Sequence, residues 1–208
     1  MKKQTPKLSK ADVQRLYENQ LKYLARHFGP KLVETLLAIP YLVRIVRTLV
    51  RRGWKIRVKK RMLGYSGYYK GAFSTRSKKT VYIGAKANFF FILISIAHEY
   101  VHAVVMPTKN PRRGSSCKRF IERCLTEEAK ANLYECRVIQ ALLDMGYTFK
   151  DIDRKSTWAQ DWYKTSKKGL GALKEKVRRS QEGTEGMTYP EFYRSWYEEK
   201  VPYRYWRD

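Results

Sequence analysis

The strongest constraint on the fold is an apolar helix that carries ionisable side chains. The run Phe89–Ala97 contains one polar residue, Ser95, and continues directly into His98-Glu99-Tyr100-Val101-His102. The next residues, Ala103-Val104-Val105, are again uncharged. Ionisable groups inside an apolar helix are costly unless they share a metal ion or polar partners. Because the apolar run is too short to cross a bilayer, it predicts a buried helix with a polar site.

The pentapeptide has the spacing of a zinc site. Residues four apart lie on one face of an α-helix, so His98 and His102 can reach the same Zn²⁺ ion. Glu99 lies beside them, where it can act as the general base of a metal-assisted hydrolysis. The alternative is a pair of buried histidines satisfied by ordinary hydrogen bonds.

A catalytic zinc ion usually has three protein ligands and one open position. The remaining histidine, His27, precedes the motif, so a carboxylate is expected as the third ligand. A helix is predicted from about Lys118 to Met145, and it offers four glutamates: Glu122, Glu127, Glu128 and Glu135.

The helical projection ranks these glutamates. At about 3.6 residues per turn, Glu128 shares an apolar stripe with Leu125, whereas Glu127 lies on the side of Lys130. Glu128 is therefore the first candidate. Glu135 lies two turns further along the same stripe and is the alternative ligand, or a partner that orients a ligand histidine.

The two motifs together carry a family resemblance. His98-Glu99-x-x-His102, followed by Glu128-Ala129-Lys130-Ala131-Asn132, resembles the gluzincin-type zinc peptidases, and especially the E-x-x-A-N arrangement of ImmA/IrrE-like peptidases. The resemblance covers about residues 80–140. It implies a zincin-like fold, Glu128 as the third zinc ligand, and a peptidase of the kind found among toxins, effectors and phage proteins. Family members commonly have Phe-Ala where this chain has Tyr134-Glu135.

A peptidase also needs a group that stabilises the oxyanion, commonly Tyr, His or Arg. Tyr147, just past the ligand helix, and Tyr189 or Tyr193 near the carboxyl end are the candidates, with packing as the alternative for each. The strand predicted at Lys79–Gly84 would serve either to pair with an extended substrate peptide or as a purely structural edge strand.

The remaining patterns predict an α+β fold that is mostly helical, with a small antiparallel sheet before the motif helix. Ser9 begins a helix that runs to about His27, and a second helix after Gly29-Pro30 is kinked or divided at Pro40. Alternating residues from Trp54 onward indicate two to four short strands.

The sequence divides by character into three regions. Residues 1–53 form a basic helical region, residues 54–147 the catalytic core, and residues 148–208 an aromatic and basic extension, which we expect to pack as one compact domain. The aromatic side chains of the extension fall at helical spacing, which favours core packing over a stacking platform for nucleic acid or sugar.

The net charge of +25 is concentrated near the amino end, where residues 1–60 hold sixteen Lys and Arg against three Asp and Glu. Such a field attracts polyanions, including nucleic acid, anionic membranes and cell-wall polymers. The rival function is therefore a nucleic-acid-binding protein whose zinc site is structural or non-catalytic. Four protein ligands would favour that rival, and three ligands with an open position would favour the enzyme.

The cysteines, the amino-terminal residues and the arginines of the second helix together predict the cellular location of the protein. Cys117, Cys124 and Cys136 form an odd set without CxxC spacing, which predicts reduced thiols. The chain begins with basic and polar residues, so we expect a cytoplasmic protein or one exported without a cleaved signal peptide. Arg44 and Arg47 interrupt the apolar segment around them, so no transmembrane segment is expected.

Overall fold

The computed structural model describes residues 9–59, 72–75, 77–85, 87–106, 111, 116–153, 157–180 and 186–201. The helices are α1 (Lys10–Phe28), α2 (Pro30–Ala38), α3 (Pro40–Arg51), α4 (Phe89–Tyr100), α5 (Cys117–Asp144), α6 (Phe149–Ile152), α7 (Trp158–Ser166), α8 (Leu170–Arg179) and α9 (Tyr189–Lys200). The strands are β1 (Lys55–Lys59), β2 (Ala72–Thr75) and β3 (Thr80–Gly84). This mostly helical chain with one small sheet confirms the α+β class.

The chain separates into two compact units, Met1–Ala103 and Val104–Asp208. The division falls within a π-helical turn, Val101–Val105, that continues directly from α4. The three regions predicted from sequence character, divided at residues 53 and 147, stay a prediction.

The first unit begins with three helices whose ends are set by local chemistry. The Ser9 hydroxyl accepts a hydrogen bond from the Asp12 amide at 3.0 Å and so caps α1. Pro30 and Pro40 are the first residues of α2 and α3, a position where the missing N–H of proline is harmless. The predicted division at Pro40 is confirmed.

Helix α3 is amphipathic. Leu42, Ile45 and Leu49 are buried, while Arg44 and Arg47 are exposed, as a helix packed on a core requires. Among the described residues, no helix combines the length and the apolar character needed to cross a membrane.

The sheet has the strand order β1-β3-β2 and is mixed. Strands β2 and β3 are antiparallel, joined through a turn in which Lys79 has φ +43°, whereas β1 and β3 run parallel. The prediction of an antiparallel sheet is therefore wrong for the β1–β3 pair. Alternating residues indicate that a segment is a strand, but they carry no information about the direction of its partner.

Strand β3 lies at the centre of the sheet, with a neighbour on each side. The prediction of an edge strand at residues 79–84 is wrong for both alternatives, substrate pairing and a purely structural edge, because the backbone groups of β3 are already paired with β1 and β2. Helix α1 covers β1: the Gln20 side chain exchanges two hydrogen bonds with Ile56, and the Tyr23 hydroxyl accepts one from the Val58 amide.

Helix α4 starts at a side-chain cap, since Asn88 Oδ1 accepts a hydrogen bond from the Phe91 amide at 2.7 Å. Its apolar residues from Ile92 to Ala97 are buried, and α3 and β3 pack against the helix. The α-helical geometry ends at Tyr100, and a π-helical turn follows from Val101 to Val105, a feature often found at functional sites.

The second unit is built around α5, against which α7, α8 and α9 pack. Its core joins residues of all four helices with Val201, which directly follows α9; the helical members are Phe120, Ile121, Cys124, Leu125, Ala129, Cys136, Trp162, Leu173, Val177, Tyr193 and Tyr197. In the described carboxyl-terminal region, Trp162, Tyr193 and Tyr197 are core side chains. Five partly buried aromatic residues pack against that core, as the helical spacing predicted: Trp158, Tyr163, Tyr189, Phe192 and Trp196. The three cysteines form no disulfide.

Candidate metal centre

The two motif histidines direct the same ring nitrogens at each other. His98 lies near the end of α4 and His102 lies in the π-helical turn, and their Nε2 atoms are 2.9 Å apart. Two imidazole nitrogens held by one tetrahedral zinc ion at ~2.0–2.1 Å would be about 3.3 Å apart. A small outward movement of either ring would therefore let both nitrogens bind one ion.

Glu128 on α5 completes a three-residue group. The ligand atoms of His98, His102 and Glu128 all lie within 4.8 Å of one another. Two imidazoles and one carboxylate suit a divalent transition metal ion, and three protein donors leave a position for water or substrate. The chemistry of the donor set therefore fits the metal that the motif predicts.

Glu128 is itself held by neighbours in the second unit. Its side chain is buried, and its Oε1 atom accepts a hydrogen bond from the Tyr193 hydroxyl at 2.7 Å. The Asn132 side-chain amide donates to the Glu128 backbone carbonyl at 2.8 Å. Both the carboxylate and the backbone of Glu128 are thereby fixed.

Tyr193 is buried on α9 and packs edge-on against Phe192 and Phe120. Burial, followed by the negative charge of Glu128, raises the pKa of the Tyr193 hydroxyl well above its usual value. A phenol has one proton to donate, and in this structure that proton goes to Glu128.

The other glutamates of α5 separate into two kinds. Glu127 is 2 % exposed and Glu135 is 7 % exposed, so both are buried. The projection that put Glu127 on the outer side is wrong, because Glu127 and Glu128 are both buried and α5 is therefore covered on more than one side. Glu122 is partly exposed and pairs with Lys174 and Arg178 on α8, both at 2.8 Å.

The two candidate third ligands, Glu128 and Glu135, differ in their position along α5. Glu135 lies seven residues beyond Glu128, which corresponds to about 10 Å along a helix axis. Within the part of the chain that the structure describes, the one group suited to a metal contains Glu128 and not Glu135. A role for Glu135 as a partner of a ligand stays a prediction.

Glu99, the predicted general base, follows His98 directly on α4 and is 6 % exposed. Its side chain therefore lies in the protein interior.

The three candidate tyrosines lie in different places. The Tyr147 amide is bonded to the Leu142 carbonyl at the far end of α5, about 21 Å along the axis from Glu128, so Tyr147 is not brought to this group. Tyr189 begins α9, and its ring centroid is 6.1 Å from that of Tyr193. An oxyanion role for Tyr189 or Tyr193 stays a prediction.

Sequence reasoning missed that Tyr193 contacts Glu128. Tyr193 is 65 residues away along the chain, and the aromatic residues around it give the same helical spacing whether or not one of them reaches a carboxylate. The capping box at Thr188, where Glu191 bonds back to the Thr188 amide, predicts where α9 begins but not what it contacts.

Comparisons with known proteins add no relative from which a role could be transferred. Searches of protein-family models, of curated proteins and of solved structures found no match to this chain.

Proposed function

We propose that this protein is a zinc-dependent metallopeptidase in which His98, His102 and Glu128 hold the metal ion and Glu99 is the general base. The observation that carries the proposal is the grouping of the three ligand side chains, whose donor atoms lie within 4.8 Å of one another. The helical spacing of the histidines and the burial of Glu128 and Glu99 support it.

Zinc bound by these residues would supply a Lewis acid and lower the pKa of water towards neutrality. Glu99 accepts a proton from the attacking water as its oxygen bonds to the scissile carbonyl carbon. Glu99 then delivers that proton to the amide nitrogen as the carbon–nitrogen bond breaks. One water molecule is consumed, and a carboxylic acid and an amine are formed.

The rival is a nucleic-acid-binding protein whose zinc site has no catalytic role. A structural zinc ion is usually enclosed by four protein ligands, often cysteines. The described group has three donors, and the chain has no CxxC pair. Both observations favour the enzyme.

The charge of the first unit supports a second part of the proposal, that the enzyme works near an anionic polymer or surface. Arg44 and Arg47 on α3, with Arg51, Arg52 and Lys55 at the junction with β1, are exposed. Such a field raises the local concentration of polyanions at low salt. Heparin and duplex DNA should be retained at low ionic strength and released by salt, and a chain that binds neither would contradict this part.

Metal analysis of the purified protein tests the site. We expect nearly one zinc ion per chain in the wild type and a large loss of zinc affinity in His98→Ala and in Glu128→Ala. The matched control is Glu122→Ala, which removes a glutamate from the same helix outside the group, and it should keep wild-type zinc affinity. Wild-type affinity in both site variants would refute the assignment.

Hydrolysis is tested on a mixture of unfolded proteins, with new amino termini identified by mass spectrometry. We expect cleavage by the zinc-loaded protein, loss of cleavage when a chelator removes the metal, and recovery when zinc is restored. A zinc-loaded protein that binds these polypeptides without cleaving them would favour the non-catalytic rival.

A further inference from the structure

Helix α9 reaches the ligand glutamate from a part of the chain outside both sequence motifs. The Tyr193 hydroxyl donates to Glu128 Oε1 at 2.7 Å, and the phenol ring is 5 % exposed. Both residues belong to the second unit, in which α9 packs directly on α5.

We infer that Tyr193 is a positioning residue that holds the Glu128 carboxylate in the orientation required to bind the metal ion. The inference rests on the proposed function, and it assigns to the carboxyl-terminal region a part of the metal centre. Tyr193 acts through Glu128 and does not itself contact the metal.

The geometry favours this role because a glutamate side chain is long and its carboxylate rotates easily. Binding a metal requires one orientation, and every other orientation that the free side chain samples weakens the affinity. A hydrogen bond from a fixed donor removes that freedom before the metal arrives.

Tyr193 is a well-fixed donor. A tyrosine has only two main side-chain torsions, and its ring is enclosed by aromatic neighbours of both α5 and α9: Phe120, Tyr189, Phe192 and Trp196. The Asn132 amide holds the Glu128 backbone from the opposite end of the residue. The carboxylate is therefore restrained from its main chain to its tip.

Zinc affinity, measured by competition with a chelating dye, tests the inference without any peptide substrate. Tyr193→Phe removes only the hydroxyl, and we expect it to weaken zinc binding by about 10–100-fold. The matched control is Tyr197→Phe, which removes a hydroxyl from a buried tyrosine of the same helix and core. This control should bind zinc as the wild type does.

Testing Tyr193→Phe in a chain that also carries Glu128→Ala distinguishes a positioning role of Tyr193 from a general effect on packing. In a Glu128→Ala chain there is no carboxylate to hold, so adding Tyr193→Phe should change zinc affinity by less than about two-fold. Visible absorption of the cobalt-substituted protein should also change in Tyr193→Phe, since the ligand field depends on how Glu128 binds. Circular dichroism of the metal-free variants establishes that they fold.

These measurements distinguish a failure of the inference about Tyr193 from a failure of the proposed function. If Tyr193→Phe binds zinc with wild-type affinity, or loses as much affinity in the Glu128→Ala background as in the wild type, the inference is wrong and the proposed zinc site stands. If the wild type itself does not bind zinc, the proposed function fails and the inference fails with it.

Discussion

The side-chain amide of Gln20 takes the place of a neighbouring strand for Ile56. Its nitrogen donates to the Ile56 carbonyl at 3.0 Å, and its oxygen accepts from the Ile56 amide at 2.9 Å. Gln20 is buried on α1, and these bonds satisfy backbone groups of β1 that would otherwise be exposed to edge pairing.

Gln20→Ala should lower the free energy of unfolding by about 2–4 kcal/mol, because two buried backbone groups lose their partners. Urea unfolding followed by circular dichroism measures the change. Gln14→Ala, on the same helix, removes only an exposed hydrogen bond to Glu18 and should cost about 0.5 kcal/mol or less. An equal decrease in the free energy of unfolding in the two variants would show that the hydrogen bonds between Gln20 and Ile56 do not stabilise the fold more than an exposed hydrogen bond does.

Glu99→Gln should keep the zinc ion and lose peptide hydrolysis by at least about 1000-fold, since an amide cannot accept the proton from water. Zinc content and the rate of peptide cleavage are measured on the same preparation. The zinc-dependent increase in Tm should equal that of the wild type. A Glu99→Gln protein that cleaves at the wild-type rate would exclude Glu99 as the base.

Glu122 should make stability depend on pH. Hydrogen bonds from Lys174 and then Arg178 lower the pKa of the Glu122 carboxyl. A lowered folded-state pKa means that the stabilisation is present above the unfolded-state pKa and is lost as pH falls through the folded-state pKa.

Glu122→Gln should therefore cost about 0.5–1 kcal/mol near neutral pH, a value kept small because the side chain is partly exposed. The difference from wild type should shrink as the pH is lowered below the range in which ordinary glutamates titrate. Urea unfolding at a series of pH values measures it, with the exposed Glu198→Gln as control. A difference that is constant across the series would contradict the ion-pair explanation.

The cysteines should differ in reactivity. Burial raises the pKa of both the Cys124 and the Cys136 thiols to about 12, so almost no thiolate forms at about pH 8. Alkylation of the native protein should label Cys117, which is partly exposed, and spare the other two. Mass spectrometry of digested protein detects the label, and all three sites should react once the chain is denatured. Rapid native labelling of Cys124 would show that the core around α5 opens readily.

Local chemistry made several features predictable from the sequence. The cap at Ser9 and the prolines at positions 30 and 40 fix helix starts through groups only a few residues apart. The spacing of His98 and His102 likewise depends on one helical turn. The inward direction of Glu128 followed from the period of α5.

Other features were beyond sequence reasoning because they depend on distant segments. The projection of α5 assumed one covered face, whereas the adjacent residues Glu127 and Glu128 are both buried. The parallel pairing of β1 with β3 and the central position of β3 depend on the path of the chain between strands.

The sequence by itself therefore determined where several helices begin and that Glu128 points inward, because these features depend on backbone geometry over one or two turns. The tertiary structure alone decided that Tyr193 meets Glu128, that Gln20 satisfies Ile56, and which strands are neighbours. These contacts join residues 65 and 36 positions apart, and no local preference encodes them. They form because burying the apolar faces of the helices brings those polar groups to the same place.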